Sequence, residues 1–274
     1  MNLLKGGYYF FLLLFYSSFV IAREESVSSV SVLGERLTGY SISAVFVSLL
    51  IIVFFVLLFL FYTKSLTHYK TLIFYLIIIP IVLSSLFLAG STVYVNLISD
   101  TRGPVHRHAD FEVWNCEEKL DLIDPRGLSN KVGSALFHEH NDNRVHVEGV
   151  VLDIATVGID NFFQIIEGDL HENGFSFPTE EGMVNVRNGE FCNDKLGKVQ
   201  VFLYQVINPK EEKKSGFIYS QKKLENFEDY VPSPYSLVPP GDCIIIEFVE
   251  EKEKTDHLCE SYRTAKERGE LIGR

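Results

Sequence analysis

Eight histidines occur in the chain, and five of them fall between positions 106 and 146. They come as His106-Arg107-His108, His138-Glu139-His140 and a single His146. In an extended strand a His-x-His triplet puts both imidazoles on one face, about 7 Å apart. That spacing suits two ligands of one ion or one ligand each for two, and imidazole binds zinc, copper, nickel and iron. Zinc or copper is therefore the expected cofactor. Glu139, Glu148 and Asp110 are placed in sequence to hold the rings from behind. Two plainer readings stand beside this one. Outward-facing strand residues are polar anyway, and a buried imidazole can be satisfied by Asp110, Glu112 or Glu139. A cluster of imidazoles, titrating near about pH 6.5, can also serve as a pH sensor.

Register decides which reading survives. Residues 135–140 and 144–151 read as the arms of a hairpin around Asn141-Asp142-Asn143. A three-residue turn sets His140 against Arg144 and His138 against His146, so His138, His140 and His146 share a face. A two-residue turn sends His146 to the opposite face. Upstream, residues 106–114 alternate, with Arg107, Ala109, Phe111 and Val113 on one side and His106, His108, Asp110, Glu112 and Trp114 on the other. This is the pattern of a half-buried strand. Sequence alone leaves open whether it runs beside the hairpin.

Further elements follow from the same signals. Residues 120–123 return after a turn at 115–119, and Asp124-Pro125-Arg126-Gly127 is turn chemistry. A helix is expected over about 156–166, ending at Gly168. Strands are expected at 182–186, 198–207 and 242–248, with a charged loop at 210–215 and a charged tail, residues 250–274, helical from Asp256. Hairpins, one packing helix and late strands make an α+β fold, a helix on one face of a mixed sheet.

The first hundred residues are of another kind. Residues 1–22 combine Lys5 with an apolar core and a small-residue end, as a secretory signal does; an uncleaved anchor is the alternative. A short external segment, 23–39, precedes apolar runs at 40–62 and 72–97 that carry no Asp, Glu, Lys, Arg or His. Each rises roughly 35 Å as a helix, enough for a hydrocarbon core of about 30 Å. The loop between them, 63–71, holds Lys64 and Lys70 and no acid, which places it in the cytoplasm and the domain from 104 to 249 outside. Without intramembrane charges the pair reads as an anchor in the lipid bilayer rather than a pump. Ser85, Ala89 and Thr92 form a small-residue stripe for packing between the spans.

Of the 25 basic and 36 acidic residues, 20 and 33 lie in 98–274, a formal charge of −13. This acidic surface disfavours nucleic acid as a partner. All four cysteines, Cys116, Cys192, Cys243 and Cys259, fall in the exported part. An even count outside the cytoplasm reads as two disulfides with three connectivities open. Cys116–Cys192 with Cys243–Cys259 is preferred, since the latter joins the last strand to a tail helix close in sequence. No Cys-x-x-Cys, Gly-x-Ser-x-Gly or phosphate-loop pattern occurs.

Several resemblances attach to these residues. His106-Arg107-His108-Ala109-Asp110-Phe111-Glu112 resembles the first cupin motif, but no second motif follows. A signal, two spans and an exported β-rich domain resemble cytochrome oxidase subunit II in layout, yet its copper-binding cysteine pair is missing. Residues 237–248, with Gly241-Asp242 leading into an apolar run, resemble the last strand of β-grasp domains. The stretch from His106 to Glu148, with the Phe162-Phe163 helix and the Gly-Asp strand, resembles a family of prokaryotic membrane-anchored proteins. That resemblance implies the domain boundary near 104 and no particular activity. The expectation is thus a membrane-anchored extracytoplasmic protein with a β-grasp-like domain and a histidine site for zinc or copper. The alternatives are a structural module binding another envelope protein without metal, and a metal-dependent enzyme.

Overall fold

Two unbroken apolar runs and a series of alternating segments divide the chain into a helical hairpin and a sheet domain. The computed structural model describes residues 29–62, 67–126, 128, 130–210 and 216–274. The expected signal, 1–22, lies outside the described residues, as do 63–66 and 211–215 of the two expected loops.

Helices α1 (Ser29–Phe61) and α2 (Lys70–Ile98) form the hairpin, and both are long and apolar enough to cross a membrane. Helix α1 starts well before the apolar run, so residues 29–39 of the expected external segment are its first turns. The helices meet through small residues. Ser48 donates to its own helix at Ala44 and to the Pro80 carbonyl at 3.2 Å. Ser84 and Ser91 are buried in the seam, whereas Ser85, Ala89 and Thr92 are exposed. The two stripes are equally small, but the seven-residue spacing of Ser84 and Ser91 keeps that pair facing α1 over two turns.

Helix α2 docks directly onto the domain. The Asp100 carboxylate accepts from Ile154 N at 2.7 Å, and the Thr101 hydroxyl accepts from Val151 N at 3.1 Å. Near the start of α1, a side chain at Gly34 would collide with Leu152. The beginning of α1 and the end of α2 therefore lie on the same side, against the domain.

The domain opens with β1 (Pro104–Asn115), β2 (Glu118–Leu120), β3 (Val132–Gly133), β4 (Phe137–Glu139) and β5 (Arg144–Val150). A 3-10 turn at Ile154–Val157 and α3 (Ile159–Ile165) follow, in place of the single helix expected over 156–166. Then come β6 (Asp169–His171), β7 (Gly174–Thr179), β8 (Gly182–Arg187), β9 (Phe191–Cys192), β10 (Lys195–Leu196), β11 (Lys198–Val206), β12 (Phe217–Leu224) and β13 (Cys243–Val249). The chain closes with α4 (Glu260–Glu267) and β14 (Leu271–Gly273). The main sheet runs β14-β12-β11-β13-β1-β5-β4-β3, with β2 paired to β1. It is mixed, because β1–β13 and β12–β14 are parallel and the other pairs antiparallel. Strand β8, expected at 182–186, joins β6 and β7 in a separate three-stranded sheet.

Each face of the main sheet has its own core. On one, Ala109, Phe111, Val113, Val145, Val147, Ile244, Ile246 and Phe248 pack against Phe162 and Phe163 of α3 and against Leu170, Phe175 and Phe177 of the small sheet. Phe162 sits edge-on to Phe111 at 5.1 Å and near Phe137 at 5.4 Å. Burying such a ring is worth about 1.5–3 kcal/mol. On the other face, Phe202, Tyr204, Phe217, Tyr219, Cys243 and Ile245 pack against Tyr262 and Ala265 of α4 and against Leu271. Residues 250–274 are thus no loose appendage. Their helix starts at Glu260 rather than Asp256, and Thr255, Cys259 and Tyr262 are buried.

Two disulfides close the domain. Cys116–Cys192 ties the turn after β1 to β9, and Cys243–Cys259 ties β13 to the residue before α4.

Candidate metal centre

Helix α4 covers only the β11–β13 side of its face, and the histidines occupy the β1-β5-β4 side. The geometry begins at the turn. Asn141 and Asn143 adopt positive φ (64° and 54°), a conformation asparagine tolerates better than most residues. Glu139 Oε1 accepts from the amides of Asp142 (2.5 Å) and Asn143 (2.9 Å) and locks the three-residue turn. The resulting register sets His138 opposite His146. On the other side of β5, His146 lies opposite His108 and Glu148 opposite His106. The strand of His106 and His108 therefore does run beside the hairpin, and all five imidazoles gather on one face.

The contacts are close. His106 Nε2 and His108 Nε2 are 2.8 Å apart, and His138 Nε2 and His140 Nε2 are 3.0 Å apart. Glu148 Oε1 is 2.9 Å from His106 Nε2, and its Oε2 is 3.9 Å from His138 Nε2. Potential ligand atoms of His138, His140, His146 and Glu148 all lie within 4.8 Å of one another, as do those of His106, His108 and His146. Two nitrogens bound to one zinc at about 2.0–2.1 Å stand about 3.3 Å apart at a tetrahedral angle and about 2.9 Å at a right angle. Both histidine pairs are near that range.

Backbone carbonyls and one carboxylate fix which nitrogen faces inward. A carbonyl only accepts, so His108 Nδ1–H donates to Ser236 O and His140 Nδ1–H donates to Asn130 O at 2.5 Å. In neutral rings this leaves both Nε2 atoms as bare lone pairs. On His146, Nε2–H donates to the Asp142 carboxylate at 3.2 Å. Its Nδ1 is buried without a hydrogen-bond partner and lies 4.0 Å from Glu148 Oε1. An unpaired lone pair inside a protein is costly unless something binds it. A carboxylate–histidine arrangement is the usual support of a metal-ligating imidazole.

Electrostatics act in the same direction. His138 is only 1% exposed, and burial, followed by its histidine neighbours and Lys131, pulls its pKa down to about 4. Burial also lowers His108, with the charges of His146, His106 and Arg144 adding to it. Both rings are therefore neutral at pH 7, the form that binds a metal. For Asp142, burial pushes the pKa up, but the His146 hydrogen bond and the charges of His146, Arg144 and His140 outweigh it and hold the carboxyl below its usual range. A cavity of about 430 Å³ borders the cluster at Asp142 and Arg144.

The three carboxylates expected behind the rings separate into three roles. Glu148 lies among the imidazoles as a potential ligand. Glu139 caps the turn, and burial raises its pKa against the turn amides that bind it. Asp110 accepts from Arg144 Nε at 2.8 Å and from the Ser261 hydroxyl, which ties the cluster's edge to α4. Asp142, read from sequence only as a turn residue, is the carboxylate that orients His146. Its place at the centre of the three-residue turn, four residues before a strand histidine, was the available signal. Of the other histidines, His171 pairs with Asp169 at 2.8 Å and His257 stacks on Trp114 at 3.6 Å, both outside the cluster. No family model, curated protein or solved structure matches this chain.

Proposed function

We propose that this chain is a membrane-anchored, extracytoplasmic metal-binding protein whose histidine cluster takes Zn²⁺ or Cu²⁺. One observation carries the reading. The second nitrogens of His108, His140 and His146 are engaged by Ser236, Asn130 and Asp142, so that their free lone pairs face Glu148 and the partner histidines. A surface patch of incidental histidines has no reason to be tied in this way.

Separate observations support the location in this reading. Two disulfides suit an oxidising compartment. The contact of Gly34 with Leu152 sets the start of α1 on the domain side, as a two-span anchor with Lys64 and Lys70 in the cytoplasmic loop requires. Residues 1–22 serve as the export signal in this reading. The strand order β5-β1-β13-β11-β12, with β1 and β13 parallel at the centre and α3 on one face, supports the β-grasp-like description. The resemblance to prokaryotic membrane-anchored proteins belongs to the same proposal.

The test is a zinc titration of the full chain in detergent micelles at pH 7, without a polyhistidine tag, in competition with a chromophoric chelator. Tight binding that is weakened in the His138→Ala/His146→Ala variant is the expected result. A chain that leaves all zinc on the chelator overturns the proposal and favours the envelope-interaction module.

A further inference from the structure

We infer that the cluster holds two divalent ions, with Glu148 as the carboxylate between them. This rests on the metal-binding reading and concerns how many ions the same site takes. His106 and His108 stand on β1, His138 belongs to β4 and His140 follows it, and β5 runs between the two strands. Nitrogens bound to a single zinc at about 2.1 Å are never more than about 4.2 Å apart. The potential ligand atoms converge in two groups, His106, His108 and His146 on one side and His138, His140, His146 and Glu148 on the other, and neither group contains both flanking pairs. Each pair is already closed on itself, at 2.8 Å and 3.0 Å.

The residues of the middle strand serve both sides. Glu148 sends Oε1 to His106 (2.9 Å) and Oε2 toward His138 (3.9 Å). Its two oxygens are thus divided between the two pairs, as in a bridging carboxylate. His146 lies between the sides as well, its ring 4.6 Å from that of His108 and 4.9 Å from that of His140. It belongs to both convergent ligand sets. Two-metal sites place their ions about 3.5–4 Å apart, and a syn-syn carboxylate spans that gap. The ligand set is asymmetric: His106 and His108 with Glu148 on one side, His138 and His140 with Glu148 on the other, and His146 Nδ1 for whichever ion binds first. Glu148 and Asp142 supply the negative charge that offsets the second cation.

Stoichiometry decides it. The full chain in detergent is loaded with Zn²⁺, freed of excess metal by gel filtration and analysed for zinc per chain. Two zinc ions are expected. His106→Ala/His108→Ala and His138→Ala/His140→Ala should each retain one. Loading with Cu²⁺ gives a second readout that does not depend on the variants' folding. Two bridged cupric ions couple, so the paramagnetic signal at two equivalents should fall well below that of two isolated ions. One zinc per chain with an undiminished, isolated cupric signal overturns the two-ion inference and leaves the metal-binding reading standing. No retained zinc and no protein-bound copper overturns both.

Discussion

Asp142→Asn tests the side chain that orients His146 without itself being a candidate ligand. The Asp142 carboxylate receives the His146 Nε2 proton at 3.2 Å, which leaves His146 Nδ1 as the inward lone pair. Asparagine has the same shape and still offers a carbonyl oxygen, but it loses the charge and can turn its NH₂ toward the ring instead. A hydrogen bond to a charged group is worth about 1.5–3 kcal/mol and a neutral one about 1 kcal/mol, so the loss is on the order of 1–2 kcal/mol. Asp142 is 37% exposed, and solvent screening moves the figure toward the lower end. Removing the outer partner of a ligating histidine commonly costs 10–100-fold in affinity. About tenfold weaker zinc binding is therefore expected, measured by chelator competition, with a thermal midpoint within a few degrees of wild type in the metal-free chain. Affinity unchanged within twofold would refute the reasoning, because His146 would then not depend on its carboxylate.

Other consequences can be checked on the same preparation, using the sole tryptophan, Trp114, stacked on His257, as the fluorescence probe. His138 has its pKa depressed from 6.5 to about 4 in the folded chain, so the unfolded chain binds the extra proton between those values. Its contribution to stability is complete above about pH 6.5 and is lost as pH falls toward 4, at no more than about 1.4 kcal/mol per pH unit. The metal-free His138→Phe variant should show a flatter loss of stability across that window, and an equal slope would contradict the assignment. The disulfides close loops of 76 and 16 residues. Chain entropy makes Cys116→Ala/Cys192→Ala cost about 4.5 kcal/mol and Cys243→Ala/Cys259→Ala about 3 kcal/mol. Denaturant unfolding of the two variants tests that order. Phe162→Ala, at a fully buried ring between Phe111 and Phe137, should cost about 3–5 kcal/mol; a loss below 1 kcal/mol would mean that α3 is not part of the core.

Local signals carried the candidate site a long way. The alternation of residues 106–114 and the Asn-Asp-Asn turn narrowed the faces of the imidazoles to two registers, and the Glu139 cap on the three-residue turn selects the one that brings His146 to the face of His138. Alternation also located β5, and apolar runs located β11, β13 and the two long helices. What escaped reading is non-local. β6 is three residues long and β7 six, with Gly174 at its start and Pro178 within it, and they pair only among themselves and β8, so the strand signal is short. β14 is three residues long and borders the sheet only because α4 returns it there.

The site's orientation belongs to that second class. Ser236 O reaches His108 from 128 positions away, through a loop between β12 and β13 that has no periodicity to read. Asn130 O reaches His140 from an irregular stretch before β3. The identity of the ligands is thus a property of three strands and a turn, whereas the choice of inward nitrogen on His108 and His140 is made by loops that only the finished fold brings near. Substitution of a strand histidine pair should therefore remove the ion that the pair holds. Changes in the loop at residues 233–237 should leave all five histidines in place and still weaken binding, by freeing His108 Nδ1 to face either way. A site whose ligands and whose ring orientations are set by separate parts of the chain can be tuned in affinity without losing a ligand, and Ser236 is where that tuning acts on His108.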